Sequence, residues 1–513
     1  MFVRKKKNPS GVISIQIIDK SSGKYRVIKT IGSSSDKVMI EKLFEQGKQW
    51  ISSYLGEIDF FEQAVKEADE KQVIDFLLSN VENILLNGAQ ILLNKVFASI
   101  GFDKIEDDSF RQLVLARLDQ PLSKAATVHY LKSHFNEDVQ LHKIYRYLDK
   151  LYYNQQERIQ QISVEHTQRV LGGRIGLLFY DVTTLYFETD EVDELRNNGW
   201  SKDGKHSQPQ VVLGLLVSSH GYPLSYSLFN GSQYEGQTML PIVHDFVHRF
   251  KLEQFVVVAD SGLMNATNRS FLESSGYAYI LGARIKSESN QTKQQILALP
   301  KLKDAFHELE INKARLIIGY SEKRAKKDQY NREKGLKRLK KAYSTGKITK
   351  ENINKRGYNK FLKIDNDVKI TIDEDSVKED QKWDGLKGYL TNTSLTARQV
   401  YEQYNGLWVI ERAFRITKGT IELRPVFHFT AKRIEAHICI CFASYKVYKE
   451  VERILILSKI PLSVDKVIAI AKTITTIQVK LPTSKTTLSK TMILTPKQRE
   501  IQELFNENFW KSI

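Results

Sequence analysis

The chain has 513 residues, 41% hydrophobic and 27% charged, which suits a soluble globular protein with room for several cores. No apolar run approaches the roughly 18 residues of a membrane helix. The basic start MFVRKKKNPSG lacks the apolar segment of a secretory signal, so a cytoplasmic protein that does not enter a membrane is expected. Lys and Arg number 77 against 60 Asp and Glu, and the net charge of +17 favours a polyanionic partner and argues against a metabolic phosphohydrolase.

In chain order, VISIQII (12–18) and KYRVIKTIG (24–32), joined by DKSSG, predict a β-hairpin. Residues 37–165 read as helices: Leu141, Ile144, Leu148 and Leu151 recur at helical spacing, while Pro121 and FNED at 135–138 punctuate the stretch. From about 174 the texture turns to strands. LLFYDVTTLYF (177–187) comes first, then QVVLGLLVSS (210–219) and PLSYSLFNGS (223–232) as a hairpin about His220-Gly221-Tyr222. An apolar stripe from Met239 to Phe250 predicts a helix, FVVVAD (255–260) a buried strand, 265–275 a short helix and YAYILGA (277–283) another strand. This order predicts a mixed α/β sheet, three antiparallel strands continued by parallel ones. Residues 287–390 read as a lysine-rich insertion with β-like pieces. Within it, 321–360 hold 15 Lys and Arg against 4 acids, suited to phosphate-backbone contact. One long helix is expected from a capping box at Thr396 and Gln399 to about Lys418. Cys439 and Cys441 read as buried small hydrophobes, and a last helix is expected from Pro496.

Two carboxylates stand out. Asp181 sits inside an otherwise apolar strand, where an unpaired charge costs several kcal/mol. Asp260 ends the strand FVVVAD, at the carboxyl end where functional groups of α/β sheets gather. Strands one and four are neighbours in an RNase H-like sheet, and two adjacent carboxylates need a cation to stay ionised. Oxygen-rich sites suit Mg²⁺ or Mn²⁺. For a third acid the helix YEQYNGLWVIERAFRITKG offers Glu411, with Tyr404, Arg415 and Lys418 close to one line on its face.

The segments FYDVTTLYFE (179–188), VVVADSGLMN (256–265) and WVIERAFRITKGTIELRPVFH (408–428) closely resemble those of bacterial insertion-sequence transposases of the DDE class, the IS-four-like group. The group's Y-x2-R-x3-E-x6-K pattern falls on Tyr404, Leu407, Glu411 and Lys418. Leu407 replaces its arginine, and Arg412 or Arg415 is the substitute phosphate contact. The resemblance spans most of 170–450 and implies an RNase H-like catalytic domain interrupted by a β-rich insertion, with Asp181, Asp260 and Glu411 as catalytic acids and metal ligands. It also implies two Mg²⁺ or Mn²⁺ ions per site, double-stranded DNA as partner (transposon ends and target), and a homodimer in the DNA complex. The expected reaction is hydrolysis at the terminal inverted repeats followed by attack of the freed 3′-hydroxyl on target DNA. Tyr404, Arg415 and Lys418 would hold phosphates, and Lys202, Lys205 and His206 would touch DNA. The alternatives are a domesticated DNA-binding protein that does not cut and a metal-dependent endonuclease without strand transfer.

The domain reading that follows is an N-terminal DNA-binding region (1–168), the first part of the catalytic domain (169–286), a basic insertion (287–393), the last part carrying the glutamate (394–450), and a C-terminal helical region (451–513) for dimerisation.

Overall fold

The computed structural model describes every residue except 22, 56–68, 76–77, 201–203, 205–206, 312–313, 346–356, 366–368, 425, 427, 482–483 and 513. In chain order its main elements begin with β1 (Phe2–Lys7), β2 (Ile13–Asp19), β3 (Arg26–Ser34), α1 (Lys37–Leu55) and β4 (Val81–Leu85). Helices α2 (Gly88–Ile100), α3 (Asp108–Asp119), α4 (Lys124–Phe135), α5 (Leu141–Asn154) and α6 (Gln156–Val170) follow. Then come β5 (Leu177–Tyr186), β6 (Gln210–Ser218), β7 (Pro223–Asn230), α7 (Met239–Phe250), β8 (Val256–Ala259), α8 (Ala266–Ser274) and β9 (Ala278–Ala283). The middle of the chain forms α9 (Asn290–Ala298), β10 (Phe306–Ile311), β11 (Ala314–Tyr320), α10 (Glu322–Ser344), β12 (Leu362–Asp365), β13 (Lys369–Ile372), α11 (Glu374–Gln381) and β14 (Leu386–Thr391). The remainder is α12 (Ala397–Asn405), α13 (Trp408–Lys418), α14 (Ala431–Leu457), α15 (Val464–Ala471), β15 (Thr475–Lys480), β16 (Thr487–Met492) and the single turn α16 (Pro496–Arg499).

The chain divides into two compact units. One comprises Met1–Ile84 and Thr476–Lys490. Its antiparallel sheet β1-β2-β3 adds a third strand, FVRKKK, to the expected hairpin, and α1 packs on it. A second small sheet has the order β16-β15-β4. The strand β4 lies in a region whose periodicity reads as helical; VENIL is too short to betray its alternation between helical neighbours.

The other unit holds Leu85–Thr475 and Thr491–Ile513. It is built on an eight-stranded mixed sheet in the order β10-β11-β14-β9-β8-β5-β6-β7. β5, β8 and β9 run parallel, and β6 and β7 continue antiparallel from β5. The first and fourth predicted strands are therefore neighbours, as an RNase H-like sheet requires. All nine residues of β6 are buried, the signature of a strand covered on both faces. One face packs under α13 and α14, with Phe179, Leu185 and Val258 in that core; the other packs Leu178, Tyr180, Val257 and Ala259 against α7 and α8. Most of the 27-residue α14 is buried around its circumference, as expected of a helix apolar on every side. Both cysteines lie within it, buried and free.

The stretch 287–393 contributes in two ways. β10, β11 and β14 extend the central sheet by hydrogen bonding outward from β9. The β12–β13 hairpin, with Leu339 of α10 and Val377 of α11, closes a small core of its own.

Two expected helices differ from the sequence reading. The capping box at Thr396 is present, but the helix it starts ends at Asn405 and a second begins at Trp408. Between them the hydrogen bonds tighten to i→i−3, Leu407 to Tyr404 and Val409 to Gly406. The last helix is likewise a single capped turn, because Ile501 and Leu504 turn inward to the core.

Candidate active site

Tyr180 pairs with Ala259 in the parallel register of β5 and β8, so the next residues, Asp181 and Asp260, stand side by side. Side chains alternate along a strand. Asp181 therefore shares the face of Phe179 and Leu185, and Asp260 that of Val258, both beneath α13 and α14. The sequence places two acids on two strands; the register puts them on one face.

The loop after Asp260 is firmly held. Arg284 donates from Nε to the Ser261 carbonyl at 2.9 Å and from Nη2 to that of Gly262 at 3.1 Å. The buried Asn268 amide donates to the carbonyls of Leu263 (2.6 Å) and Gly236 (2.7 Å), tying this loop to the one carrying Glu235. The Tyr180 hydroxyl donates to Thr238 at 2.8 Å, and burial, with Asp181 and Glu235 nearby, raises its pKa. Glu235 is thus a further carboxylate near the Tyr180 hydroxyl.

Tyr404 ends α12 buried, and its hydroxyl donates to Asp260 Oδ1 at 2.6 Å. Burial first, then the Asp260 carboxylate, pushes its pKa well up, so the phenol stays protonated. Gly282 on β9 permits this approach: a Cβ there would lie 2.5 Å from the Tyr404 hydroxyl. Gly406 does the same for the helix pair, since a Cβ would meet Phe179 Cζ, two residues before Asp181, at 2.6 Å. Tyr404 and Glu411 thus stand on separate helices, so the single face drawn through them in the sequence does not exist. Glu411 and Arg415 are exposed on α13, and Lys418 is half-buried at its end. Arg412 is committed to an ion pair with Glu452, whereas Arg415 is exposed. Lys202, Lys205 and His206 lie outside the described residues.

Lys387 was missed by the sequence reading. It lies on β14 with its ammonium 4.3 Å from the centre of the Tyr404 ring. Burial lowers its pKa, as does Arg324, while Asp260 and Glu411 raise it. Both acids therefore act on one cation. A lysine inside LKGYLT is the same anomaly as an aspartate inside LLFYDV, and would have drawn notice on the same grounds. Lys387 and Arg324 also line a cleft of about 630 Å³ that runs past Ser261, Arg284 and Lys286.

The donor set of Asp181, Asp260 and Glu411 is all carboxylate oxygen, the chemistry of hard divalent cations. The adjacent aspartates fit such an ion. Among the described residues no three His, Cys, Asp or Glu are gathered closely enough to hold a metal.

A family model described as "Transposase DDE domain" matches residues 172–446, more than half of the chain and the whole span from β5 to the middle of α14. No curated protein matches. Among solved structures, the cryo-EM structure of a piggyBac transposase synaptic complex with hairpin DNA is similar at 9% identity, covering 83% of this chain and 78% of that one, with a TM-score of 0.38. That likeness is too remote to carry an argument about chemistry.

Proposed function

The chain belongs to the DDE transposase family, and on that premise we propose that it cuts DNA at the ends of a mobile element, of the bacterial insertion-sequence kind, and joins the freed 3′-hydroxyl to target DNA. The observation that carries this reading is that Asp181 and Asp260 each follow directly on the last parallel pair, Tyr180 with Ala259, on the face beneath the helix of Glu411. Divalent metal held by Asp181, Asp260 and Glu411 would supply Lewis acidity at the scissile phosphate.

The roles of the chain's own groups follow from their surroundings. Tyr404, protonated and donating to Asp260, orients that carboxylate rather than attacking phosphorus. Lys387 sits in the field of two acids and offers its ammonium to the non-bridging oxygens of a phosphate, which a half-buried cation binds more strongly than an exposed one. Arg415 and Lys418 on α13 extend the phosphate contacts, and Lys202, Lys205 and His206, between β5 and β6 in sequence, add to them. The basic helix α10 supplies non-specific backbone attraction. DNA ends are held by a homodimer, so that two ends are cut together.

The test uses the purified protein with the DNA flanking its gene, in Mg²⁺ or EDTA, beside Glu411→Gln. Metal-dependent cuts leaving 3′-hydroxyls at inverted-repeat termini, lost in the variant, establish the reading. Binding without cutting marks a DNA-binding relic. Cutting without joining to target DNA marks an endonuclease.

A further inference from the structure

Apart from the acids, the second unit contains a pocket of opposite character. It is a cavity of about 180 Å³ between the start of α4 and the segment joining α13 to α14. Its wall carries Arg117, Lys124, Arg424, His428 and His437, and the single acid among the described lining residues is Glu422, exposed at the rim.

Lys124 is the feature that demands an explanation. It is 93% buried, since only 7% of its surface remains exposed, yet no carboxylate contributes to its titration and it makes no hydrogen bond or ion pair among the described residues. Burial foremost, then the neighbouring Arg117, pushes its pKa down to about 7. An ammonium taken out of water and left unanswered costs several kcal/mol.

The surroundings deepen the imbalance. Arg117 donates not to an acid but to His437 Nδ1, at 3.4 Å. His428 stacks at a tilt against His437, with ring centres 5.2 Å apart. Burial holds both imidazoles neutral, His428 at about 3, so neither adds a further cation to the pocket. Lys124 is also the first residue of the 12-residue α4, capped by Ser123, so the positive end of the helix dipole opens onto the same space.

We propose that this pocket is a phosphate-binding site, in which Lys124, Arg117 and the amino end of α4 hold a tetrahedral phosphate dianion or phosphodiester. Such a group supplies what the pocket lacks: negative charge and several acceptor oxygens. Its place suggests the source. The guanidinium of Arg424 lies 5.7 Å from the ring centre of Tyr186, the last residue of β5. Tyr186 is five residues beyond Asp181, about 17 Å along the strand, which corresponds to roughly five base steps of duplex. A DNA strand leaving the acid site along β5 would deliver a backbone phosphate here. That source rests on the DNA-cutting reading above; the binding of phosphate itself does not.

The experiment follows the melting temperature of the full chain against inorganic phosphate at constant ionic strength, with chloride as control, for wild type, Lys124→Met and Arg117→Gln. The expected result is a saturable rise in wild type and none in Lys124→Met, with Arg117→Gln shifted at least tenfold toward higher phosphate. In the absence of phosphate, Lys124→Met should melt higher than wild type, because the unanswered charge is gone. A structural lysine would give the opposite sign. A flat wild-type titration, a phosphate response retained in Lys124→Met, or a lowered melting temperature in that variant without phosphate each overturn the proposal.

A second arm measures binding to end DNA. A three- to tenfold loss in Lys124→Met, with the slope of log affinity against log salt reduced by about one, identifies a backbone phosphate as the ligand. Unchanged DNA affinity beside a positive phosphate titration identifies a free phosphate. Neither arm requires cleavage, so failure of the pocket leaves the acid site standing, and the reverse.

Discussion

Glu450 and Asp260 are both carboxylates set against the core of the second unit, and their surroundings differ in kind. Glu450 on α14 is wholly buried and answered within the chain. Tyr222 donates to it at 2.8 Å, Arg453 at 3.0 Å from Nε and 2.6 Å from Nη2, and His166 Nε2 lies 3.5 Å away. Lys446, one turn earlier, is buried too and donates to the Ser163 carbonyl and the Thr167 hydroxyl. Asp260 opens to solvent beside a second aspartate, with Glu411 acting on the same lysine. Charge matched inside the chain holds the fold together; like charges brought together at the surface store repulsion that a ligand relieves.

The largest expected effects break this contrast at the acids. Asp181→Asn, Asp260→Asn and Glu411→Gln should each abolish DNA cleavage while leaving unfolding free energy within about 0.5 kcal/mol of wild type or above it. A labelled-end cleavage assay and a melting curve on the same preparation check both halves. A variant that still cuts removes its residue from the site.

Glu450→Gln should do the reverse, costing about 3–5 kcal/mol in denaturant unfolding by leaving Arg453 without its negative partner and with an amide nitrogen in place of one acceptor oxygen. The folded fraction should retain its cleavage rate. Acid titration sharpens the point. Burial pushes Glu450 up, but hydrogen bonds from His166 and Arg453 hold it down at about 2, below the ordinary 4.5. The folded state then binds fewer protons than the unfolded one, so this contribution is complete above about pH 4.5 and lost as pH falls toward 2. Burial lowers His166 to about 4 from 6.5, and its contribution is lost as pH falls between those values. In Glu450→Gln the lower part of this acid loss should vanish. If stability still falls between pH 4.5 and 2 as in wild type, Glu450 is not the group responsible.

Lys387→Met is the intermediate case, a cation that stands with the acids. It should slow cleavage roughly 10²-fold, near the value of one charge-stabilising donor, with little change in melting temperature. A cleavage rate within twofold of wild type would assign Lys387 to packing on Tyr404 alone. The smallest effect is expected for Gly406→Ala, whose new methyl meets Phe179. Overpacking should cost about 1–3 kcal/mol and slow cleavage by displacing α13. Tolerance of alanine without loss would show that α12 and α13 have room to move on β5.

What the sequence made legible was anomaly within pattern. Asp181 stood out because its strand is otherwise apolar, and the order of strands and helices from 177 to 283 was readable because each is long, periodic and bounded by a turn. The break at Gly406 was not readable: apolar spacing continues through it, and the clash that demands a glycine comes from Phe179, far away in sequence. Lys387 was hidden by its label as part of an insertion, although β14 is a strand of the central sheet. The cationic pocket leaves no local trace, since Arg117, Lys124, Arg424, His428 and His437 come from separate parts of the chain. Only the folded arrangement shows that no carboxylate among the described residues answers Lys124.

The position of β14 also governs how the protein is made. The edge of β9 is finished at Ala283, yet the strand that covers it begins only at Leu386. The intervening hairpin of β10 and β11 cannot serve, because β11 itself pairs with β14. At about 5–20 residues per second, a nascent chain carries an open parallel edge for roughly 5–20 seconds. Such an edge invites pairing with a neighbouring chain on the same message. The helix of Glu411 lies just C-terminal to β14, so it leaves the ribosome after the strand that covers this edge.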